Sequence, residues 1–210
     1  MSRTVVAICG KGGVGKTTVS GLLARALDRA GRRALLVDAD PAGGLTMTLG
    51  LSPPRSLDDL RRELIVELAG RGESAPAPGP DLARDVDYRL LELLEERGVL
   101  ALLEVGRPEE AGCYCKLNGL LRQSIEALSA GFELTVVDAE AGVEQVNRRV
   151  LGTVTHLLVV SDLSRRGLRV ARTVVEVARR SAPDLHAGLV LNRVGDDAGG
   201  EPGVLQRAAA

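Results

Sequence analysis

The sequence predicts an α/β protein built on a mostly parallel sheet with helices on both faces. Three observations predict it. Short apolar runs that read as strands alternate with longer segments whose apolar residues recur at helical spacing. The strand-like runs are nearly unbroken in Val, Leu, Ala and Ile, as strands covered on both faces should be. Small and acidic residues gather just after those runs, where ligands sit in such sheets. A length of 210 residues suits one domain spanning residues 1–210.

The elements follow in order. Thr4–Cys9 is a buried-looking strand ahead of a Gly-rich turn. From Thr17, the residues Val19, Leu22, Leu23, Ala26 and Leu27 keep helical spacing, and Gly31 stops the helix. Ala34–Asp38 is a second strand. Ser56 opens a helix, with Asp59 completing a capping pattern and Leu57, Leu60, Leu64 and Leu68 on one face. Gly70–Pro80 is a Pro/Gly-rich surface loop. A helix is expected over Arg84–Arg97 and a strand over Val99–Val105. A turn with Cys113 and Cys115 leads into a helix from about Lys116. Leu134–Asp138, Thr155–Ser161 and Ala187–Asn192 complete the strands, and an Arg-rich helix over Arg165–Arg180 separates the last two. No internal repeat is visible.

Composition narrows the function classes. The chain is 45% hydrophobic and 26% charged, and no apolar run approaches the ~18 residues of a membrane span. The formal net charge is −1, so the whole chain is no polycation built for nucleic acid. Tyr88, Tyr114 and Phe132 are the only aromatics besides histidine, too few for a base-stacking platform. Cys9, Cys113 and Cys115 do not make a secreted disulfide framework, and Cys9 reads as core. No charged-then-apolar leader opens the chain, and a cytoplasmic location is expected. Neither a membrane nor a nucleic acid is expected as a partner. His156 and His186 sit at strand edges without ligand spacing to each other, and structural roles are expected for both.

Gly10 to Thr17 reads G-K-G-G-V-G-K-T, which fits G-x-x-x-x-G-K-[ST] between a strand and a helix. Small residues let backbone N–H groups wrap phosphate oxygens, and the helix N-terminus favours negative charge. This makes the expected fold a P-loop NTPase, with ATP and Mg²⁺ as cofactors. The expected nucleotide-binding set is Gly10, Lys11, Gly12, Gly13, Val14, Gly15, Lys16, Thr17 and Thr18. Lys16 reaches the β/γ-phosphates and the Thr17 hydroxyl takes Mg²⁺. Of 27 basic residues only Lys11, Lys16 and Lys116 are lysine, yet two of them lie in this loop. A compact ammonium, not a planar guanidinium, is what the loop demands.

The second lysine, Lys11, resembles the deviant phosphate loop of the ATPase superfamily that includes the nitrogenase iron protein and the Min and Par proteins. The resemblance implies that Lys11 crosses a dimer interface to the partner's nucleotide. The segment D-A-D-P from Asp38 to Pro41 looks like switch I of that superfamily. There Asp40 orients the attacking water, and Asp38 belongs to the Mg²⁺ or switch network; the catalytic set is then Lys11, Lys16 and Asp40. Asp138 follows an apolar strand and is a second carboxylate on the Mg²⁺ side. Ala141 and Gly142 resemble a switch II that senses the γ-phosphate through backbone N–H groups. Asn192 matches the superfamily's adenine-edge asparagine; an Asn that merely ends a strand at a turn reads equally well.

Cys113-Tyr114-Cys115 offers two thiolates, enough for half of a closed four-ligand site. Two copies across a two-fold axis complete it, and such dimers are the commonest assembly. A following helix start and Lys116 both favour the thiolate. Thiolates suit Zn²⁺, Ni²⁺ or Cu(I). An inert thiol pair or a transient disulfide is the alternative.

The stretch G-R-P-E-E-A-G-C-Y-C, a helix, then D-A-E-A-G-V-E is similar to the CooC-type accessory ATPases, which help insert nickel into carbon monoxide dehydrogenase. The resemblance covers roughly Thr4–Asn192. It implies a dimeric Mg·ATP-dependent ATPase that yields ADP and phosphate, with Ni²⁺ or Zn²⁺ at the shared cysteines and a client metalloenzyme such as carbon monoxide dehydrogenase. Two features depart from the branch. Gln145 stands where a His commonly follows the second Glu, and only 18 Gly/Ala-rich residues follow Asn192, where relatives usually continue with another strand and helix. The expected fold is accordingly shortened at its C-terminus. Two other functions stay open: a Par/Min-like positioning ATPase that binds DNA or a surface through Arg165–Arg180, and a non-hydrolysing nucleotide-binding regulator. For the arginine helix, a solvated outer face is the expectation.

Overall fold

The computed structural model describes residues 4–70, 80–107, 115–139 and 154–194. Among these residues, seven strands form one sheet in the order β3-β4-β2-β5-β1-β6-β7. They are β1 (Thr4–Gly10), β2 (Ala34–Asp38), β3 (Glu95–Arg97), β4 (Leu100–Glu104), β5 (Leu134–Asp138), β6 (His156–Ser161) and β7 (His186–Leu191). All neighbours pair parallel except β3, which runs antiparallel to β4 at one edge. The helices are α1 (Lys16–Arg29), α2 (Gly44–Leu49), α3 (Leu57–Gly70), α4 (Pro80–Leu91), α5 (Cys115–Ala130) and α6 (Arg165–Ser181).

Period-two alternation along the central strands builds two cores. Val5, Ala7, Cys9, Leu35, Val37, Leu103, Val137 and Val159 face one way, onto Leu60 and Leu64 of α3, Leu90 of α4, Ile125 of α5 and Ala171 of α6. Ile8, Leu36, Leu102, Val136 and Val160 face the other way, with Ala24 of α1 and Leu45 of α2. Side chains buried on both faces explain the unbroken apolar runs. β7 is the exception: its first four residues are exposed.

The capping pattern of α3 forms as expected. Asp59 Oδ2 accepts from Ser56 N at 2.9 Å and from Ser56 Oγ at 2.7 Å, while Asp59 N donates back to Ser56 Oγ at 3.2 Å. Cys9 is fully buried, and burial pushes its thiol up to about 12, so it is a neutral core residue.

Two elements differ from expectation. The helix expected over Arg84–Arg97 runs Pro80–Leu91 instead, with proline at a first-turn position where its missing N–H costs nothing. Glu95–Arg97 then turns back along β4, helped by Gly98 at a φ of 62°. The six-residue helix α2 was not expected; it is too short for a helical period and is bounded by left-handed Gly43 and Gly50. Among the described residues, no helix is long and apolar enough to cross a membrane.

Candidate functional site

The carboxyl ends of β1, β2 and β5 bring the expected phosphate loop and acidic residues together. Gly10 ends β1 at a φ of 149°, where a Cβ would overlap the Val160 carbonyl oxygen of β6. Gly13 and Gly15 also take positive φ, 79° and 95°, and Gly15 caps α1. The loop backbone therefore turns as only glycine turns cheaply. Gly12, Gly13 and Thr18 are exposed, Gly15 and Thr17 are partly exposed, and Val14 is buried beneath the loop. Lys16 opens α1, is 9% exposed and has Nζ 3.5 Å from the Lys11 carbonyl oxygen.

Behind Lys16 lies Asp138, 1% exposed. Neither carboxylate oxygen makes a hydrogen bond of good geometry, although the Thr17 and Ser20 hydroxyls lie close enough to favour its charge. Burial outweighs them and raises its pKa. A buried carboxylate short of partners beside a threonine hydroxyl is a donor set that fits a hard divalent cation. The residues present therefore fit Mg²⁺.

Asp38 is the register partner of Asp138 on the next strand, yet its carboxylate is differently employed. Oδ2 accepts from Thr46 N at 2.9 Å and Thr46 Oγ1 at 3.0 Å, and Oδ1 accepts from Asp40 N at 3.3 Å. Asp38 thus anchors α2 and the turn before it. Burial raises its pKa despite these donors. Asp40 is partly exposed, and its Oδ1 accepts from Ala42 N at 2.9 Å. Strand tips are stitched together: Ala39 N donates to Asp138 O, and Ala139 N to Ile8 O.

Two features around the loop, and one at the opposite end of the sheet, were not read from the sequence. Lys11 pairs within the chain with Asp162, Nζ to Oδ2 at 3.5 Å. Asp162 also accepts from Ser164 N and Oγ, which holds its carboxyl below the usual range. Its signal was a third acidic strand end, Ser161-Asp162, followed by a helix cap. Glu104 ends β4 beside Asp38, and burial with the Asp38 and Asp59 charges raises its pKa. His156 and His186, which show no ligand spacing in the sequence, are register partners with rings stacked 5.0 Å apart. Only strand pairing could reveal that.

Asn192 follows β7, and its Nδ2 donates to the Val14 carbonyl at 2.8 Å. It ties the end of β7 to the glycine loop. Ala141, Gly142, Gln145 and Cys113 lie outside the described residues. Cys115 is described only by its place as the first residue of α5.

Comparison with known proteins agrees with this geometry. The CobQ/CobB/MinD/ParA nucleotide binding domain matches residues 5–203. An uncharacterized ATP-binding protein of Methanocaldococcus jannaschii is 40% identical over 83% of this chain and 68% of its own. The carbon monoxide dehydrogenase accessory protein CooC of Rhodospirillum rubrum is 29% identical over 90% of this chain and 78% of its own. The solved structure of cobyrinic acid a,c-diamide synthase from Mycobacterium smegmatis, with bound ADP and magnesium, superposes with a TM-score of 0.64 at 26% identity. That match covers 99% of this chain and 82% of the other.

Proposed function

The chain belongs to the CobQ/CobB/MinD/ParA nucleotide-binding domain family, and from that premise we propose a dimeric Mg·ATP-dependent ATPase that handles a metal for a client enzyme. The observation that carries the ATPase reading is Asp138, buried and short of hydrogen bonds beside Thr17 and behind the glycine loop. Such an arrangement costs stability unless a cation is to be bound there.

Lys16, at the N-terminus of α1, is the charge partner of the β/γ-phosphates. Thr17 and Asp138 hold Mg²⁺, which neutralises charge developing on the phosphates. Asp38 holds α2, and through Asp40 N it sets the turn that carries the Asp40 carboxylate. Asp40 orients the attacking water. Lys11 leaves Asp162 to reach the partner's nucleotide, and that ion pair is partly exposed, so releasing it costs little. Ala141 and Gly142 sense the γ-phosphate. Asn192 braces the loop at Val14 and flanks the base.

The finer, CooC-type reading rests on Cys113 and Cys115 and on the similarity to the carbon monoxide dehydrogenase accessory protein. Two chains closed by ATP bring four thiolates to one Ni²⁺ or Zn²⁺, and hydrolysis releases it to a client such as carbon monoxide dehydrogenase. Nucleotide and metal then stabilise the same dimer and are coupled reciprocally, by typically ~1–3 kcal/mol. Native mass spectrometry of the His186→Gln chain, in which imidazoles do not compete for metal, tests this with each metal, with and without a non-hydrolysable ATP analogue. One metal per two chains, tightened by nucleotide and lost in Cys113→Ala, is the expected result. One metal per chain, or binding that survives Cys113→Ala, removes the shared site and leaves an ATPase alone.

One observation favours a second reading, a surface-binding positioning ATPase. α6 exposes Arg165, Arg166, Arg169, Arg172, Arg179 and Arg180, and of its described acidic contacts only Glu176 answers, pairing with Arg172 at 2.9 Å. If this face grips DNA, binding falls steeply with salt and is abolished by Arg165→Ala with Arg169→Ala. Salt-insensitive or absent binding keeps it as a solvated face.

A further inference from the structure

The chain has two histidines, thirty positions apart in sequence, and the fold brings them together far from the phosphate loop. His156 opens β6 and His186 opens β7, at the amino ends of strands whose carboxyl ends lie by the nucleotide site. The parallel register sets them side by side. Neighbouring strands lie ~4.8 Å apart. The rings stack with centroids 5.0 Å apart and planes inclined by 29°. His156 is half-buried and His186 exposed.

Thr155 sits against the ring of His156. Its Oγ1 accepts from Val5 N at 2.9 Å, and lies 3.1 Å from the Val5 carbonyl oxygen and 2.9 Å from His156 Nδ1. Val5 O also accepts from Thr155 N at 3.1 Å, so the single hydroxyl proton can serve either Val5 O or Nδ1. Donated to Val5 O, it leaves the Nδ1 contact to Nδ1–H, and Nε2 then carries the lone pair of the neutral ring. Metal-binding imidazoles are oriented in this way, with one ring N–H held by an oxygen and the other nitrogen presented to the metal.

We propose that His156 and His186 form a surface site for a borderline divalent metal of the Zn²⁺ or Ni²⁺ type, ligated by His156 Nε2 and one nitrogen of His186. Imidazole suits these ions. Ligand bonds of ~2.0–2.1 Å in a tetrahedral arrangement require the two nitrogens to approach ~3.3 Å. Two side chains rooted on neighbouring strands reach that separation when the exposed His186 ring swings out of the stack. Among the described residues, no group of three or more His, Cys, Asp or Glu surrounds a common point. Water fills the other positions, so the site is exchangeable and open to an incoming ligand. It sits within one chain, and it does not rest on the function proposed above.

The test uses the untagged full chain carrying Cys113→Ser and Cys115→Ser, so that thiols do not compete, and Zn²⁺ alone as probe. Long-range ¹H–¹⁵N spectra of the imidazoles read the tautomer and the ligating nitrogens, and calorimetry reads stoichiometry. We expect one Zn²⁺ per chain shifting both rings, with Nε2 as the ligating nitrogen of His156. Affinity falls as pH falls, because protons compete for the nitrogens. A non-hydrolysable ATP analogue leaves it unchanged. His186→Gln, at an exposed position and checked for fold by circular dichroism, weakens binding at least about tenfold. Ligation through His156 Nδ1, imidazole signals unmoved by Zn²⁺, or undiminished binding in His186→Gln overturns the proposal.

Discussion

At the carboxyl end of the sheet Asp38 and Asp138 are buried side by side on β2 and β5, whereas at the amino end Arg32 and Glu133 meet in solvent just before the same two strands. The amino-end pair is short, with Arg32 Nε 2.6 Å from Glu133 Oε2, and Arg33 lies over the Phe132 ring. Each charge there has an opposite charge and water. At the carboxyl end burial raises the pKa of both aspartates, and Asp138 lacks a well-formed hydrogen bond. Exposed pairs contribute little to stability, and buried uncompensated charge opposes it. The same strands therefore carry cheap charges at one end and costly ones at the other. The costly end is where a phosphate and a cation would supply the missing compensation.

Four substitutions can break or sharpen this contrast. The largest effect belongs to Lys16→Ala, which removes the proposed charge partner of the phosphates. Nucleotide affinity should fall about a hundredfold or more in a fluorescent-nucleotide titration. Next is Asp40→Ala. It should leave nucleotide affinity nearly intact and lower steady-state phosphate release at least about tenfold, because only water positioning is lost. Equal loss of binding in both variants would end the separation of roles.

Asp138→Asn comes third and should have two opposed consequences. Magnesium dependence of nucleotide binding disappears, while the ligand-free chain gains about 1 kcal/mol at neutral pH, because a buried charge is gone. The sign of the pH effect follows from the raised pKa. The native state holds a proton that the unfolded chain has released, so this group's contribution to stability falls as pH rises from about 4, its ordinary range, through the raised native value. Asp59, Glu133 and Asp162 have lowered values and act in the opposite sense, their contribution being lost as pH falls. The difference between wild type and Asp138→Asn across a pH series of denaturant melts isolates the aspartate. A variant less stable than wild type at neutral pH would show that Asp138 is compensated after all.

The smallest effect is expected at the other end of the sheet. Glu133→Ala should shift the midpoint of thermal unfolding by no resolvable amount, since its partner Arg32 remains in water. A clear destabilisation there would erase the contrast between the two ends.

Much of this organisation is legible in the sequence. The runs A-L-L-V-D and L-T-V-V-D read as buried strands ending in acid, and both do so. G-K-G-G-V-G-K-T demanded a glycine turn between strand and helix, and the positive φ angles of Gly13 and Gly15 supply it. Ser56 and Asp59 announced their cap. Local chemistry decides such features, because hydrophobic periodicity, turn stereochemistry and capping act within a few residues. β3 and α2 escaped, since three polar residues and a six-residue helix carry no period to detect.

The sequence by itself determined the class of fold, the glycine loop between β1 and α1 and the acids near it. Only the tertiary structure decided how those acids divide their work: Asp38 is spent on Thr46 and Asp40, while Asp138 is left with unmatched oxygens. It alone paired Lys11 with Asp162, bridged Asn192 to Val14 and stacked His156 on His186. The Asp38 partners lie within eight residues, yet they need the following turn and α2 folded back onto the strand end. The other three contacts depend on which strands become neighbours and in what register, and pairing between strands far apart in sequence is set by the packing of the whole sheet, not by any local run of residues.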